Sequence, residues 1–260
     1  MKKICLEKIW LVIVAVFLIT PLLVTFIYSI SEHWISIVPD GFTLRYYVEK
    51  LHDTKFWLGV VRGLIISIIP VCITNLILLI AMFAVIVYFP QYEKYIQFIC
   101  IVPTTISGII LATSVLSTYA GTNTIFANRI VMLVCVYCIF CLPLTFQGIR
   151  NSLFAVNTRK LLEAAAILGA KEFLAYIKIV IPSILPGIMN TALICFAGLF
   201  GDFAMIKMIA SSQYETVQTY LYKNRTTDVQ MFSSGVSIIL LITLCLNLAM
   251  HKMAELDNSK

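Results

Sequence analysis

The stretch EAAAILGAKEFLAYIKIVIP, residues 163–182, is small, polar and helix-forming, yet it lies between two long apolar segments. Strong helix formers dominate its first half, so a short helix is expected from Arg159, with Thr158 or Asn157 as its N-cap. Gly169 is expected to end this helix in the left-handed conformation, and AKEFLAYIK then begins a second helix. The stretch therefore predicts a helix, a glycine turn and a second helix at one end of a bundle of apolar spans.

The composition is that of a membrane protein. Of the 260 residues, 60% are hydrophobic and 12% are charged, and the mean hydropathy is +0.96. Soluble domains are about 45–50% apolar and about 25% charged. The formal net charge of +6 is spread over polar segments without a basic tract, so nucleic acid is not an expected partner. Most of the eight cysteines fall inside apolar runs, where cysteine packs as a small hydrophobe.

Six apolar runs are each long enough to cross a hydrocarbon core of about 30 Å. They cover, to within several residues, 9–30, 56–89, 96–118, 126–146, 179–199 and 231–250. The expected fold is an all-α membrane protein with six transmembrane helices and a short cytoplasmic helix between the fourth and fifth spans. Three regions are expected: a first transmembrane helix and outer loop (1–55), a transmembrane core (56–250) and a cytoplasmic tail (251–260).

The basic residues predict the orientation of the chain. With the N-terminus inside the cell, eleven Lys and Arg lie in cytoplasmic segments and six in outer loops, as the positive-inside rule requires. The apolar run after MKKICLEK is too long for a cleaved signal peptide, so it is expected to remain as the first span. Both termini and residues 163–182 are therefore expected on the cytoplasmic side of a multi-pass cell-membrane protein.

The short helix has the surface of a docking element. Its alanines at 164–166 would give a low, flat face, with Glu163 as a charged contact at the edge. Such a helix suits a groove on another protein. Apolar anchors are expected from Leu161, Leu162, Ile167 and Leu168.

The pattern around this helix resembles that of permease subunits of type I, binding-protein-dependent ATP-binding-cassette importers. That family carries E-A-A, three residues, G, nine residues and I-x-L-P in a cytoplasmic loop. This sequence keeps every spacing and departs from the pattern only at Ile181, where the family usually has Leu. The matching residues are Glu163, Ala164, Ala165, Gly169, Ile179 and Pro182.

The resemblance implies a non-catalytic permease subunit of an ATP-driven importer, in which the short helix couples to an ATPase. The implied coupling residues are Glu163, Ala164, Ala165, Leu168, Gly169 and Pro182. The implied partners are a separate ATPase subunit, a second permease subunit (homologous or identical), an extracytoplasmic solute-binding protein and the lipid bilayer. No G-x-x-x-x-G-K-[ST] occurs, so no cofactor is expected in this chain, and ATP and Mg would be bound by the ATPase. Gly169→Pro or Ala165→Trp is expected to uncouple transport from ATP while the protein stays inserted.

Polar residues within the spans are candidates for the solute path. Polar groups inside transmembrane segments often face a path, although hydrogen bonding between helices explains them equally well. For Asp202 the competing reading is an ordinary solvated loop carboxylate. The resemblance is to importers for polyamines, ferric iron, thiamine or aminophosphonates, and among these solutes it favours a small amine-bearing one, either an aminoalkylphosphonate or a polyamine. The candidates within the spans are Asn75, Thr104 and Ser107; the resemblance adds Asp202 and Phe203, which lie where the fifth span meets the outer loop.

The main alternative function is a secondary transporter or channel that works without an ATPase. It would need functional charge within the membrane, for which only Arg62 and Arg129, both near span edges, are candidates. A metal site is not expected either. The cysteines of CVYCIFC, residues 135–141, do not share a helix face, and no ligand-spaced histidines occur.

Overall fold

The structure, a computed structural model, describes residues 2–33, 40–210, 213–226 and 228–258. Parts of the expected outer loops (34–39, 211, 212 and 227) and the end of the expected tail (259–260) lie outside the described residues. Two short strands, β1 (Ser31–His33) and β2 (Asp40–Phe42), pair antiparallel. The helices are α1 Lys2–Ile30, α2 Arg45–His52, α3 Thr54–Val87, α4 Glu93–Ile101, α5 Gly108–Tyr119, α6 Arg129–Ala155, α7 Thr158–Ile167, α8 Glu172–Ala175, α9 Ile181–Phe200, α10 Ala204–Ile209, α11 Val217–Asn224 and α12 Val229–Asn258.

The described residues contain five continuous helical stretches that are long and apolar enough to cross a membrane. They correspond to the first, second, fourth, fifth and sixth expected spans. α6 continues well beyond residue 146, where the sequence predicted the fourth span to end, so Gln147 belongs to the helix and not to the loop. The all-α membrane fold is confirmed.

The third expected span is bent, by 94° between residues 90–105 and α5. A 3₁₀ turn, Val102–Thr105, follows α4, and Ile106 and Ser107 are extended. Pro103 has no N–H to donate to the helix. Thr104 and Thr105 donate their hydroxyls to the carbonyls of Ile101 (2.7 Å) and Val102 (2.8 Å). These local bonds compete with helical ones, so the span is broken at this point.

The chain forms two compact units, the first made of Met1–Gly59 and Tyr220–Cys245. Its loops are held by polar contacts. Ser29 and Tyr47 share a hydrogen bond of 2.5 Å that joins the end of α1 to α2. Asp53 begins α3, because its Oδ1 accepts from the backbone N–H groups of Lys55 and Phe56.

A buried cation lies beside Asp53 in the same unit. The Lys50 side chain is only 2% exposed, and its Nζ lies 3.5 Å from Asp53 Oδ2. Tyr220 Oη donates to the same oxygen at 2.5 Å, and its ring faces the Lys50 ammonium at 4.8 Å. Burial alone would raise the pKa of Asp53. The hydrogen bonds from Tyr220 and the backbone, together with Lys50, outweigh burial and hold the pKa of Asp53 below its usual range.

We predict that Asp53→Asn destabilises the purified protein at pH 7 more than Lys50→Met does. Asp53→Asn leaves a buried ammonium without its counter-ion, at a cost of about 3 kcal/mol. Lys50→Met leaves a partly exposed carboxylate that keeps its hydrogen bonds.

The stabilisation from Asp53 should also depend on pH. Because the pKa of Asp53 is lowered in the folded protein, the ionised carboxylate stabilises the fold above about pH 4, which is the ordinary pKa of an aspartate. This stabilisation is lost as the pH falls further. Thermal unfolding in detergent should therefore show a gap between wild type and Asp53→Asn that narrows from pH 6 to pH 3. Equal losses for the two variants, or a gap that does not change with pH, would contradict this.

The second unit is made of Val60–Thr219 and Leu246–Lys260. It holds two apolar clusters. One is centred on α6 and also draws on α3, α5, α9 and α10, with Leu133 and Ala112 fully buried. The other joins α3, α6 and α9 to α7 and α8.

Small residues let α6 and α9 cross closely in this unit. Gly148 and Ser152 on α6 face Thr191 and Gly187 on α9, so the contact is small-x-x-x-small on both helices. A methyl group at Gly148 would collide with Thr191, and one at Gly187 would collide with Ser152. Ser152 donates to Gly148 O (2.8 Å) and Thr191 donates to Gly187 O (3.0 Å). The crossing fixes the two helices that precede and follow α7 and α8.

Candidate functional site

The start of α7 differs from the sequence expectation. Asn157 precedes the helix with φ of 54°, and neither Asn157 nor Thr158 caps α7 with its side chain. The Thr158 hydroxyl instead donates to Leu153 O at 2.8 Å. That carbonyl lies in the last turn of α6, where carbonyls lack helical partners. The predicted cap was therefore wrong, because Thr158 serves the preceding helix.

The end of α7 is as expected. Gly169 has φ of 78°, the left-handed conformation that glycine adopts without strain. Its N–H donates to Ala166 O (2.9 Å), and the N–H of Ala170 donates to Ala165 O (3.0 Å). Proline cannot adopt this φ, so Gly169→Pro stays a prediction of a broken turn.

One face of α7 packs against the chain itself. Leu162 and Ala165 are 8% and 5% exposed. They belong to the same apolar cluster as Phe146 and Ile149 of α6. The expectation that Leu162 anchors another protein is therefore wrong, and Ala165 packs beside it in this chain's own bundle. A helix in contact with its own bundle must bury the stripe that faces that bundle.

The opposite face of α7 is open. Ile167 and Leu168 are 86% and 87% exposed, and Ala164 is exposed as well. Glu163 is exposed and pairs with Arg159 one turn earlier, Nε to Oε1 at 3.3 Å. Two large apolar side chains beside an ion pair are the kind of surface that a protein partner covers.

The segment after Gly169 connects α7 to the membrane. α8 passes through a π-helical turn, Tyr176–Val180, into α9. Tyr176 is 2% exposed, and its hydroxyl donates to Leu79 O of α3 at 3.0 Å. Pro182 lies in the first turn of α9, where a missing N–H costs no helical bond. The order of helix, glycine turn and second helix is therefore present as predicted.

An ion pair lies at the same end of the bundle. Arg150 Nε of α6 lies 2.7 Å from Glu93 Oε1 of α4. Glu93 and Arg159 also line a cavity of about 280 Å³ between α3, α6 and α7. The pair joins the first half of the broken span to the helix that leads into α7.

Of the five candidate solute-path residues, Asn75 lies within α3. Its Nδ2 donates to Val71 O at 2.8 Å in the same helix. Its buried Oδ1 has no hydrogen-bond partner among the described residues. Among the described residues, Asn75 shares neither a hydrogen bond nor a cavity with the other candidates.

Asp202 and Phe203 follow the end of α9. Asp202 Oδ2 accepts from Tyr137 Oη of α6 at 2.8 Å and from the backbone N–H of Met205 at 3.1 Å. The Phe203 ring lies 5.3 Å from the Lys207 ammonium. Asp202 thus joins α6 to the start of α10, a contact that favours a structural role over a solvated loop carboxylate.

Thr104 and Ser107 lie at the break of the third span, and both are exposed. Thr104 lines a cavity of about 450 Å³ between the break, α6 and α9. The other four candidates do not line it. Gln147 of α6 lines the same cavity but was not predicted as a site residue from the sequence. The spacing of Gln147 could have indicated that it belongs to α6, because Phe140, Leu144 and Gln147 recur at helical intervals on one face of that helix.

The comparisons with known proteins agree with this architecture. The family model for the inner membrane component of binding-protein-dependent transport systems matches residues 77–254. The chain belongs to this family. It is a multi-pass permease subunit of a type I ATP-binding-cassette importer and has a transport role.

Two relatives match nearly the whole chain. The putative 2-aminoethylphosphonate transport system permease protein PhnV of Salmonella typhimurium is 21% identical over 250 residues, which cover 94% of this chain and 92% of PhnV. The spermidine/putrescine transport system permease protein PotC of Escherichia coli is 20% identical over 246 residues, which cover 94% of this chain and 91% of PotC.

Solved structures show the same fold. A chain of the bacterial alginate ABC transporter, in complex with alginate pentasaccharide-bound periplasmic protein, matches with a TM-score of 0.68 and 17% identity. That match covers 97% of this chain and 94% of the other. A chain of the methionine ABC transporter MetNI matches with a TM-score of 0.56 and 16% identity, covering 79% of this chain and 99% of the other.

Proposed function

We propose that this permease pairs with a second permease subunit, identical or homologous, and that a separate ATPase subunit binds ATP and Mg and docks on α7. The observation that carries the proposal is the two-sided packing of α7. Leu162 and Ala165 hold the helix to its own bundle, and Ile167 and Leu168 are left exposed on the other side. Glu163 and Ala164 lie on this exposed surface, and Gly169 and Pro182 fix the turn and the return to α9.

The proposed orientation places both termini and α7 in the cytoplasm. It is supported by the excess of Lys and Arg on that side of the expected spans. Residues 56–250 would then form the transmembrane core, with the first helix and outer loop (1–55) before it and the cytoplasmic tail (251–260) after it. In this orientation a solute-binding protein would dock on the face opposite α7.

The proposed mechanism is alternating access driven through α7. ATP would close the ATPase pair and displace α7, and ATP hydrolysis would reset it. Tyr176 and the apolar cluster join α7 and α8 to α3, α6 and α9. A displaced α7 would therefore shift packed helices rather than bend a loose connector, and packed helices move between discrete arrangements.

For the solute we propose a small amine-bearing compound, either an aminoalkylphosphonate or a polyamine. PhnV and PotC support this choice, because their names refer to solutes of these two kinds and each match covers 94% of this chain. Direct uptake of radiolabelled 2-aminoethylphosphonate and putrescine would decide between them.

Copurification with Leu168→Asp tests the docking of the ATPase. Burying a leucine side chain is worth roughly 1.5–3 kcal/mol. A buried aspartate costs more, so we expect the amount of ATPase recovered with the tagged permease to fall at least tenfold. Ile125→Asp is the matched control, because Ile125 is 79% exposed but lies before α6, at the opposite end of that helix from α7. Recovery of ATPase at the wild-type level with Leu168→Asp, or equal loss with both variants, would refute docking on α7.

A further inference from the structure

Gln147 is a polar side chain in an unusual place for a spanning helix. It is exposed and lies eight residues before the end of α6, about 12 Å along the helix axis. α6 is 27 residues long, or about 40 Å, so this position lies inside a hydrocarbon core of about 30 Å centred on the helix. An exposed amide at that depth is costly in lipid, which favours a water-filled cavity or a polar partner for Gln147.

The cavity beside Gln147 has the size of a solute site. Its volume is about 450 Å³, within the range of small-molecule sites. One wall comes from the break, with Thr104, and the other walls come from α6 and α9. The polar groups that line it are uncharged: the Thr104 hydroxyl, the Gln147 amide and the thiols of Cys141 and Cys195. No charged side chain is among the described residues that line it.

The broken backbone supports the same conclusion. Residues between α4 and α5 depart from α-helical geometry, with Ile106 and Ser107 extended. Non-helical backbone at membrane depth is tolerated where it is buried in protein or lines a water-filled cavity. Thr104, Thr105 and Ser107 are exposed, so this stretch is not buried within the chain itself. A single water-filled cavity therefore accounts for the break and for the position of Gln147.

We propose that Gln147 and Thr104 form an uncharged, hydrogen-bonding solute site in a path that ATP opens and closes. The site would bind solute through amide and hydroxyl groups and would not neutralise a net charge on the solute. The proposal deepens the proposed function and rests on it. Of the other candidates, Asp202 is already engaged by Tyr137 and Met205, and Asn75 does not line this cavity.

Accessibility of an introduced thiol tests the site without knowledge of the solute. The experiment uses the complete transporter in membrane vesicles, with the eight native cysteines replaced by serine or alanine. Gln147→Cys is treated with a cationic and an anionic methanethiosulfonate reagent, before and after trapping with ATP and vanadate. Leu76→Cys is the control for a lipid-facing position, because Leu76 is a 63% exposed apolar residue of α3 that does not line the cavity.

Gln147→Cys should react at least 100-fold faster than Leu76→Cys, and trapping should change its rate at least tenfold. After correction for intrinsic reactivity, the two reagents should differ less than about fivefold, because no charge lines the site. A rate as slow as that of Leu76→Cys, or one that trapping leaves unchanged, would overturn the proposed site. A tenfold preference for one charge would overturn its uncharged character. Copurified ATPase and its activity, measured on the same vesicles, show separately whether the importer assembly itself is present.

Discussion

Gly148→Ala is expected to lower the free energy of unfolding by about 1–3 kcal/mol, the usual cost of overpacking a tight contact. Within a helix this substitution normally stabilises by about 0.5–1 kcal/mol. The sign reverses here because the added methyl would occupy the position of the Thr191 side chain on α9. Relief would require α6 and α9 to separate, or Thr191 to leave the rotamer in which it donates to Gly187 O of its own helix. Unfolding by SDS titration of the detergent-solubilised protein measures the change.

Gly198→Ala is the matched control for this prediction. Gly198 likewise lies inside a helix, α9, but a methyl group there meets no atom within 4 Å among the described residues. The same substitution should therefore be neutral or stabilising for unfolding. The double variant Gly148→Ala, Thr191→Gly should be more stable than the two single losses predict, because the second change removes the side chain that the first one hits. Strict additivity, or equal effects at Gly148 and Gly198, would show that the close crossing does not limit stability.

The sequence predicted the parts of the fold that depend on long or local patterns. Long apolar runs gave five of the spans, because about 20 apolar residues have few stable arrangements other than a membrane helix. The turn at Gly169 was equally predictable, since a left-handed residue after a helix is usually glycine. Thr158 was assigned to the wrong helix. The sequence alone does not show which of two adjacent helix ends a capping side chain bonds to.

Features that depend on packing between distant residues were not predicted. Pro103 and Gly108 indicate a loosened third span, but hydropathy averages over the turn and does not show a bend of 94°. Gln147 was assigned to a loop, since a polar residue after an apolar run looks like the end of a span. The small residues of the α6–α9 crossing, Gly148 with Ser152 and Gly187 with Thr191, are visible as i, i+4 pairs, but nothing in the sequence shows that the two pairs face each other. Such pairing is decided by the tertiary structure.

Ala165→Trp is expected to destabilise the permease itself, and the adjacent Ala164→Trp is expected to affect only its partner. Ala165 is 5% exposed in the cluster that joins α7 to α3, α6 and α9. An indole there would overpack the core, at a cost of about 1–3 kcal/mol or more. Ala164 is exposed, so an indole at that position should change the free energy of unfolding by less than about 0.5 kcal/mol.

The two variants separate the internal packing of α7 from its docking. Purified without the ATPase, Ala164→Trp should unfold at the wild-type temperature, and Ala165→Trp should unfold at a lower one. With the ATPase present, Ala164→Trp should lose at least tenfold in recovered ATPase, because the bulky ring prevents close approach of the partner's groove. If Ala164→Trp kept wild-type levels of both ATPase and uptake, the exposed side of α7 could not be the docking surface. If Ala165→Trp were as stable as wild type, α7 would not be anchored in the bundle, and movement of α7 could not be passed to the spans.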